Sequence, residues 1–166
     1  MRDRDQFARR EGMAHPNDKE AAAATLQIDQ DNQRRLDAII REHGWPTVAL
    51  VGRKASASAW TVTQHADLPY QKKYLDQMTA AANGGELSWA LLATSIDRIR
   101  VREGKPQVYG SQFHEVNGQL VPQPIEDEAH VDERRAKVGM QPLAEYKRLM
   151  EEFFMPKPAP APAPQP

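Results

Sequence analysis

Two stretches set hydrogen-bonding and titratable side chains among apolar residues: Trp60-Thr61-Val62-Thr63-Gln64-His65-Ala66-Asp67 and Pro106-Gln107-Val108-Tyr109-Gly110-Ser111-Gln112-Phe113-His114. Amide, imidazole and phenol groups are costly to bury unless each finds a partner. Such groups therefore mark either a pocket or a buried polar network. His65 is the candidate for proton transfer, because imidazole titrates near neutrality without help. The other reading of His65 is a hydrogen-bonded structural residue at a helix edge. Asp67 sits two residues away, on the wrong face to orient it, and Asp97 would reach it only through the fold.

Arg98 offers a planar fork suited to a carboxylate or a phosphate. Its alternative is an ion pair with Asp29 or Asp67. Gln107, Tyr109 and Gln112 are poor nucleophiles but good positioning groups, suited to holding a ligand or an oxyanion. Strand alternation puts Gln112 opposite the other two unless Gly110 makes a bulge. Their other role would be a ladder holding a hairpin onto the helices. Asn32 falls on the apolar stripe of a helix, either as a structural anchor or as a pocket wall. Of Arg134 and Arg135, one is expected to pair at the surface with Asp132 or Glu133, and the other to turn inward.

The elements that must position these groups are mostly helical. Gln27–His43 reads as a first helix with the stripe Ile28, Leu36, Ile39 and Ile40, ending at Gly44-Trp45-Pro46. Thr47–Gly52 reads as a short buried extended segment. Helices follow at about 56–66, 69–83 and 88–102. Small residues along the second permit close packing. Residues 107–122 read as a hairpin turning at Asn117-Gly118. A last helix, 131–154, is interrupted near Gly139-Met140-Gln141-Pro142. The expected fold is α+β and mostly helical, with about five helices and one β-hairpin, and with 47–51 as a candidate third strand.

Residues 1–24 read as a charged arm, 25–154 as a single globular domain and 155–166 as a Pro-Ala tail or linker that favours polyproline II. The whole chain is 166 residues, enough for one domain with a real core. Its 22 Lys plus Arg against 23 Asp plus Glu leave a net charge of -1, which gives no pull toward nucleic acid. Cysteine is absent, so disulfides, thiolate metal sites and a cysteine nucleophile are excluded. The five histidines are scattered, no phosphate loop or nucleophile elbow is present, and the expectation is no metal and no cofactor. No apolar run is long enough to span a membrane, and the charged start leads into no apolar signal stretch. The expectation from these features is a cytoplasmic protein.

Taken in order, several short motifs resemble a bacterial domain-of-unknown-function family, family 6624. They are Gly44-Trp45-Pro46, Gly52, Gln64-His65-Ala66-Asp67, Asp97-Arg98, Gln107-x-Tyr109-Gly110-Ser111-Gln112, Pro122-x-Pro124-Ile125 and Arg134-Arg135-x-x-x-Gly139. The resemblance covers about residues 26–147. The family pattern more often has threonine where this chain has Ser111, which keeps the hydroxyl. The resemblance groups these residues and implies no established activity.

Two functional expectations follow from the residues. One is a cofactor-independent hydrolase or group-transfer enzyme on a small polar or anionic ligand. In it, His65, Arg98 and Tyr109 do the chemistry, and Asn32, Gln64, Gln107, Gln112 and Arg134 bind. The other is a non-catalytic binding or adaptor domain, with a protein partner reached through the Pro-Ala tail. The first requires Gln64, His65, Arg98 and Gln112 to converge on one concave site.

Overall fold

The structure is a computed structural model, and it describes residues 18–154. The Pro-Ala segment and the first 17 residues of the charged arm lie outside the described residues. Seven α-helices and one two-stranded antiparallel hairpin make up the described fold. In chain order the first five helices are α1 (Lys19–His43), α2 (Val48–Val51), α3 (Arg53–His65), α4 (Leu68–Asn83) and α5 (Trp89–Arg102). The hairpin strands β1 (Phe113–Val116) and β2 (Gln119–Pro122) follow, then a 3₁₀ turn (Glu128–His130), α6 (Val131–Lys137) and α7 (Leu143–Phe154). The mostly helical class is as expected, while the helix count exceeds five.

Each helix start and stop has a local cause. Asp18 caps α1, its carboxylate accepting from the Glu20 and Ala21 N–H groups, so the helix begins at Lys19 rather than at Gln27. Gly44, at φ +76°, closes it with a hydrogen bond from its N–H to the Ile40 carbonyl. Asp67 caps α4 by accepting from the Tyr70 N–H at 2.9 Å, with Pro69 in the first turn where no N–H is needed.

Thr47–Gly52 corrects the expected third strand. Thr47 caps the single turn α2 by accepting from the Leu50 N–H, and Gly52 closes it at φ +78°. Leu50 and Val51 are exposed, so the run is neither extended nor buried. The hairpin is likewise shorter than expected, starting at Phe113 instead of Gln107. Its turn is where the sequence puts it: Asn117 and Gly118 both take positive φ, and Val116 pairs with Gln119.

The core lies among α1, α3, α4 and α5. Leu36 and Ile40 of α1 meet Ala59 and Val62 of α3, Tyr74 and Met78 of α4, and Leu92 of α5. Ser56, Ala59 and Thr63 on α3 are buried, and their small size lets neighbouring helices approach closely. Polar links seal the α1–α4 seam: the Tyr70 hydroxyl donates to the Gln33 carbonyl at 3.1 Å, and the Tyr74 hydroxyl donates to Asp37.

Asn32 sits on the buried face of α1 as its stripe position implies, but its Nδ2 has no hydrogen-bond partner. An unpaired buried amide costs stability, and replacing it with an apolar group removes that cost. Asn32→Leu is therefore expected to leave the melting temperature unchanged or raise it. A loss of more than about 1 kcal/mol in chemical denaturation would show that the amide is an anchor after all.

At the far end of the α4–α5 pair, Glu103 accepts from both Lys72 and Lys105. These hydrogen bonds, Lys105 foremost, hold its carboxyl pushed down to about 2 from the ordinary 4.5. A lowered carboxyl adds stability above its unfolded value and loses it as pH falls through the folded one. The Glu103 contribution should thus fade between pH 4.5 and about 2. Acid titrations of wild type and Glu103→Gln check this, since the two stability curves should converge at the acid end of that window.

Candidate functional site

The site is organised by one carboxylate. Asp97, in the middle of α5, is fully buried. Its Oδ1 accepts from the Val108 N–H at 2.7 Å and the Tyr109 N–H at 3.0 Å, and its Oδ2 accepts from the Ser111 N–H at 2.9 Å. Three N–H groups on a buried carboxylate compensate its lost hydration and fold residues 108–111 over the helix. Asp97 was a candidate partner for His65; its carboxylate instead holds the backbone of this loop.

Gln107 completes the loop from inside. Its Oε1 accepts from the Gln112 N–H at 2.8 Å, and its Nε2 donates to the carbonyls of Gln112 and Gln123 at 3.0 and 2.7 Å. Its backbone bridges to Ile125. Gln107 is fully buried, and its side-chain amide is engaged by the loop's own backbone. The positive φ of Gly110, +67°, makes the reversal between them. A Cβ there would stand 2.9 Å from both Ile125 Cδ1 and Leu143 Cδ1, so the tight approach of these side chains also requires glycine.

Two arginines clamp the same loop from α6. Arg135 is fully buried; its Nη1 donates to the Tyr109 carbonyl and its Nε to the Gln141 carbonyl at 2.7 Å. Its guanidinium carbon lies 4.9 Å from the centre of the Tyr146 ring. Burial pulls its pKa down, opposed by Tyr146, Asp132 and Asp97. Arg134 donates through Nε to the Val108 carbonyl at 2.9 Å and through Nη2 to the carbonyls of Glu126 and Asp127. It pairs with Asp127 at 3.6 Å. The expectation that one arginine turns inward holds for Arg135, while the surface partner of Arg134 is Asp127 rather than Asp132 or Glu133.

Arg98, one residue after Asp97, ties α5 to α3 and to the end of the loop. Its Nε donates to Gln112 Oε1 at 3.1 Å and its Nη1 to the Gln64 carbonyl at 3.1 Å. Gln112 Nε2 in turn donates to Ser111 Oγ at 2.9 Å. The Gln64 side chain accepts through Oε1 from Ser95 Oγ at 3.0 Å, and Ser95 accepts from the Trp60 indole at 3.0 Å. Gln64, Arg98, Ser111 and Gln112 thus form one connected polar group spanning α3, α5 and the loop.

A hollow of about 470 Å³ opens beside this group, between α5, the hairpin and α7. Its polar wall is Thr94, Arg98, Ser111 and Gln112, with His114 and Glu115 on the exposed hairpin. Its apolar wall is Phe113, Leu120, Tyr146, Met150 and Phe154. Burial pushes the Tyr146 phenol up, the guanidiniums of Arg135 and Arg98 pull it back, and Asp97 adds to the rise. Tyr146 therefore stays protonated at neutral pH and presents a donor.

Of the residues expected to form a site, Arg98 and Gln112 line this hollow, and Gln64 is bonded to Arg98 behind it. His65 is half-buried at the end of α3 and is not among the lining residues. Tyr109 is bonded through its backbone on both sides and also lies off the hollow. Burial and the Asp97 carboxylate raise its phenol, with Arg134 opposing. Asn32 borders a separate hollow along α1, beside Ile28, Asp31 and Arg35. The sequence reading missed the α7 wall. Its signal was the four-residue spacing of Tyr146, Met150 and Phe154, which sets one helical face toward the hairpin. Among the described residues no His, Asp or Glu cluster could hold a metal ion, and no helix is long and apolar enough to cross a membrane.

These features define a mostly helical domain whose hairpin and last helix flank a mixed polar and apolar hollow. Residues 1–157 match a family of unknown function (DUF6624), and the chain belongs to that family. Comparison with curated proteins and with solved structures finds no match.

Proposed function

We propose that this domain binds a small polar or anionic ligand in the hollow between α5, the hairpin and α7, with Arg98 and Gln112 as its recognition groups. The observation that carries the reading is the seating of Arg98. Hydrogen bonds to the Gln64 carbonyl and the Gln112 amide fix its guanidinium at the wall of the hollow. A charge held in place by the fold costs less ordering on binding than a free surface side chain. The apolar residues of the same lining supply contact area, the usual composition of a small-molecule site. Asn32, Gln107, Tyr109 and Arg134 have no ligand role in this proposal.

A catalytic version of the same reading, hydrolysis or group transfer without a cofactor, draws on His65. It directly follows Gln64, whose carbonyl Arg98 holds. His65→Gln should then reduce turnover by about 10²–10⁴-fold with the fold intact. Full activity in well-folded His65→Gln would leave binding alone.

The test of the binding reading is a ligand-observed NMR screen of small anionic, polar and amphipathic compounds. Compounds that bind should be lost in Arg98→Met and Gln112→Leu and kept in Asn32→Leu. Binding that survives both of the first two variants would contradict the proposal.

A further inference from the structure

Resting on that reading, we infer that the hollow selects a monocarboxylate carried on an apolar body. The polar end holds one guanidinium, flanked by uncharged donors and acceptors on Thr94, Ser111 and Gln112. A guanidinium held in place by Gln64 and Gln112 still attracts a carboxylate by its charge and can add a charge-assisted hydrogen bond to it. The ionisable side chains in the lining besides Tyr146 are Arg98 on α5 and His114 and Glu115 on the hairpin, and Glu115 adds a negative charge. One guanidinium and one carboxylate in the same lining suit a monoanion better than a dianion such as phosphate. In the same lining, Leu120, Met150, Phe113 and Phe154 offer surface that an apolar body would cover. Phe154 is 55% exposed, so part of that surface faces solvent until something covers it. Methionine among these residues adapts its shape to chains of differing form.

Isothermal titration of the full chain tests the class with octanoate, 1-octanol, butyrate, octanedioate and inorganic phosphate. Octanoate should bind at least about tenfold more tightly than butyrate, because four methylenes are withdrawn from water. It should also exceed 1-octanol, which lacks the charge, and octanedioate, whose second carboxylate meets the apolar wall. Arg98→Met should erase the difference between octanoate and 1-octanol. Phe154→Ser changes an exposed side chain outside the core and should weaken both. Octanoate binding no stronger than that of 1-octanol to the wild-type chain would overturn the class, with no variant needed. If phosphate or another polar compound then bound in an Arg98-dependent way, the hollow would stand and the carboxylate assignment alone would fall. If no compound bound at all, both would fall.

Discussion

Asp97→Asn should destabilise the protein by about 3–5 kcal/mol, the range for removing one partner of a buried charged network. In a chain of this size that lowers the melting temperature by on the order of 10 °C. The reason is specific to the acceptor pattern. Both carboxylate oxygens are used, one by Val108 and Tyr109 and the other by Ser111. Asparagine keeps one acceptor and turns the other into an NH₂ that faces a backbone donor. Either amide orientation leaves at least one buried N–H without an acceptor. Loss of the negative charge also deprives buried Arg135 of a favourable interaction. Thermal and chemical denaturation check the size of the effect, and a melting temperature within about 2 °C of wild type would contradict it.

Arg135→Ala should cost a similar amount, about 3–5 kcal/mol, by the other half of the same arrangement. Truncation strands the part-buried carbonyls of Tyr109 and Gln141, removes the cation beside the Tyr146 ring and leaves a cavity. Arg135→Met should cost less, because it fills the space without a buried charge. Tyr109 joins the two groups, giving its N–H to Asp97 and its carbonyl to Arg135. Their effects should therefore not add. A double-mutant cycle with Asp97→Asn and Arg135→Met should show a coupling of about 0.5–3 kcal/mol. Strict additivity would mean that the loop does not transmit one group's loss to the other.

These two residues also show how far the sequence could be read. Asp97 was conspicuous as a carboxylate in an apolar seam, yet its partners lie 11 to 14 positions downstream, across a helix end and a turn. No periodicity reports such a contact. Elements with local causes were legible: the Asn117-Gly118 turn, the Gly44 stop and the Gly139 to Pro142 break between α6 and α7. Thr47–Gly52 was misread because a four-residue apolar run fits a strand or a helical turn equally well, and capping by Thr47 and Gly52 decides it. Residues 107–112 alternate like a strand, but Asp97 and Gln107 absorb their backbone groups, so a buried loop forms instead. The candidate site was legible to the extent that Gln64, Arg98 and Gln112 came together. His65 and Tyr109 looked reactive by type, whereas the α7 side of the hollow had no unusual chemistry to announce it.

The central claim is that the hollow beside Arg98 is where this domain meets its ligand. Amide chemical-shift mapping during a titration with octanoate tests it most directly. Saturable shifts should concentrate at Thr94, Ser111, Gln112, Phe113, Leu120, Tyr146 and Met150, the residues around the hollow, and in Arg98→Met should need the higher concentrations that 1-octanol needs. Shifts centred on the α1 hollow beside Asn32, or spread evenly over the surface, would contradict it.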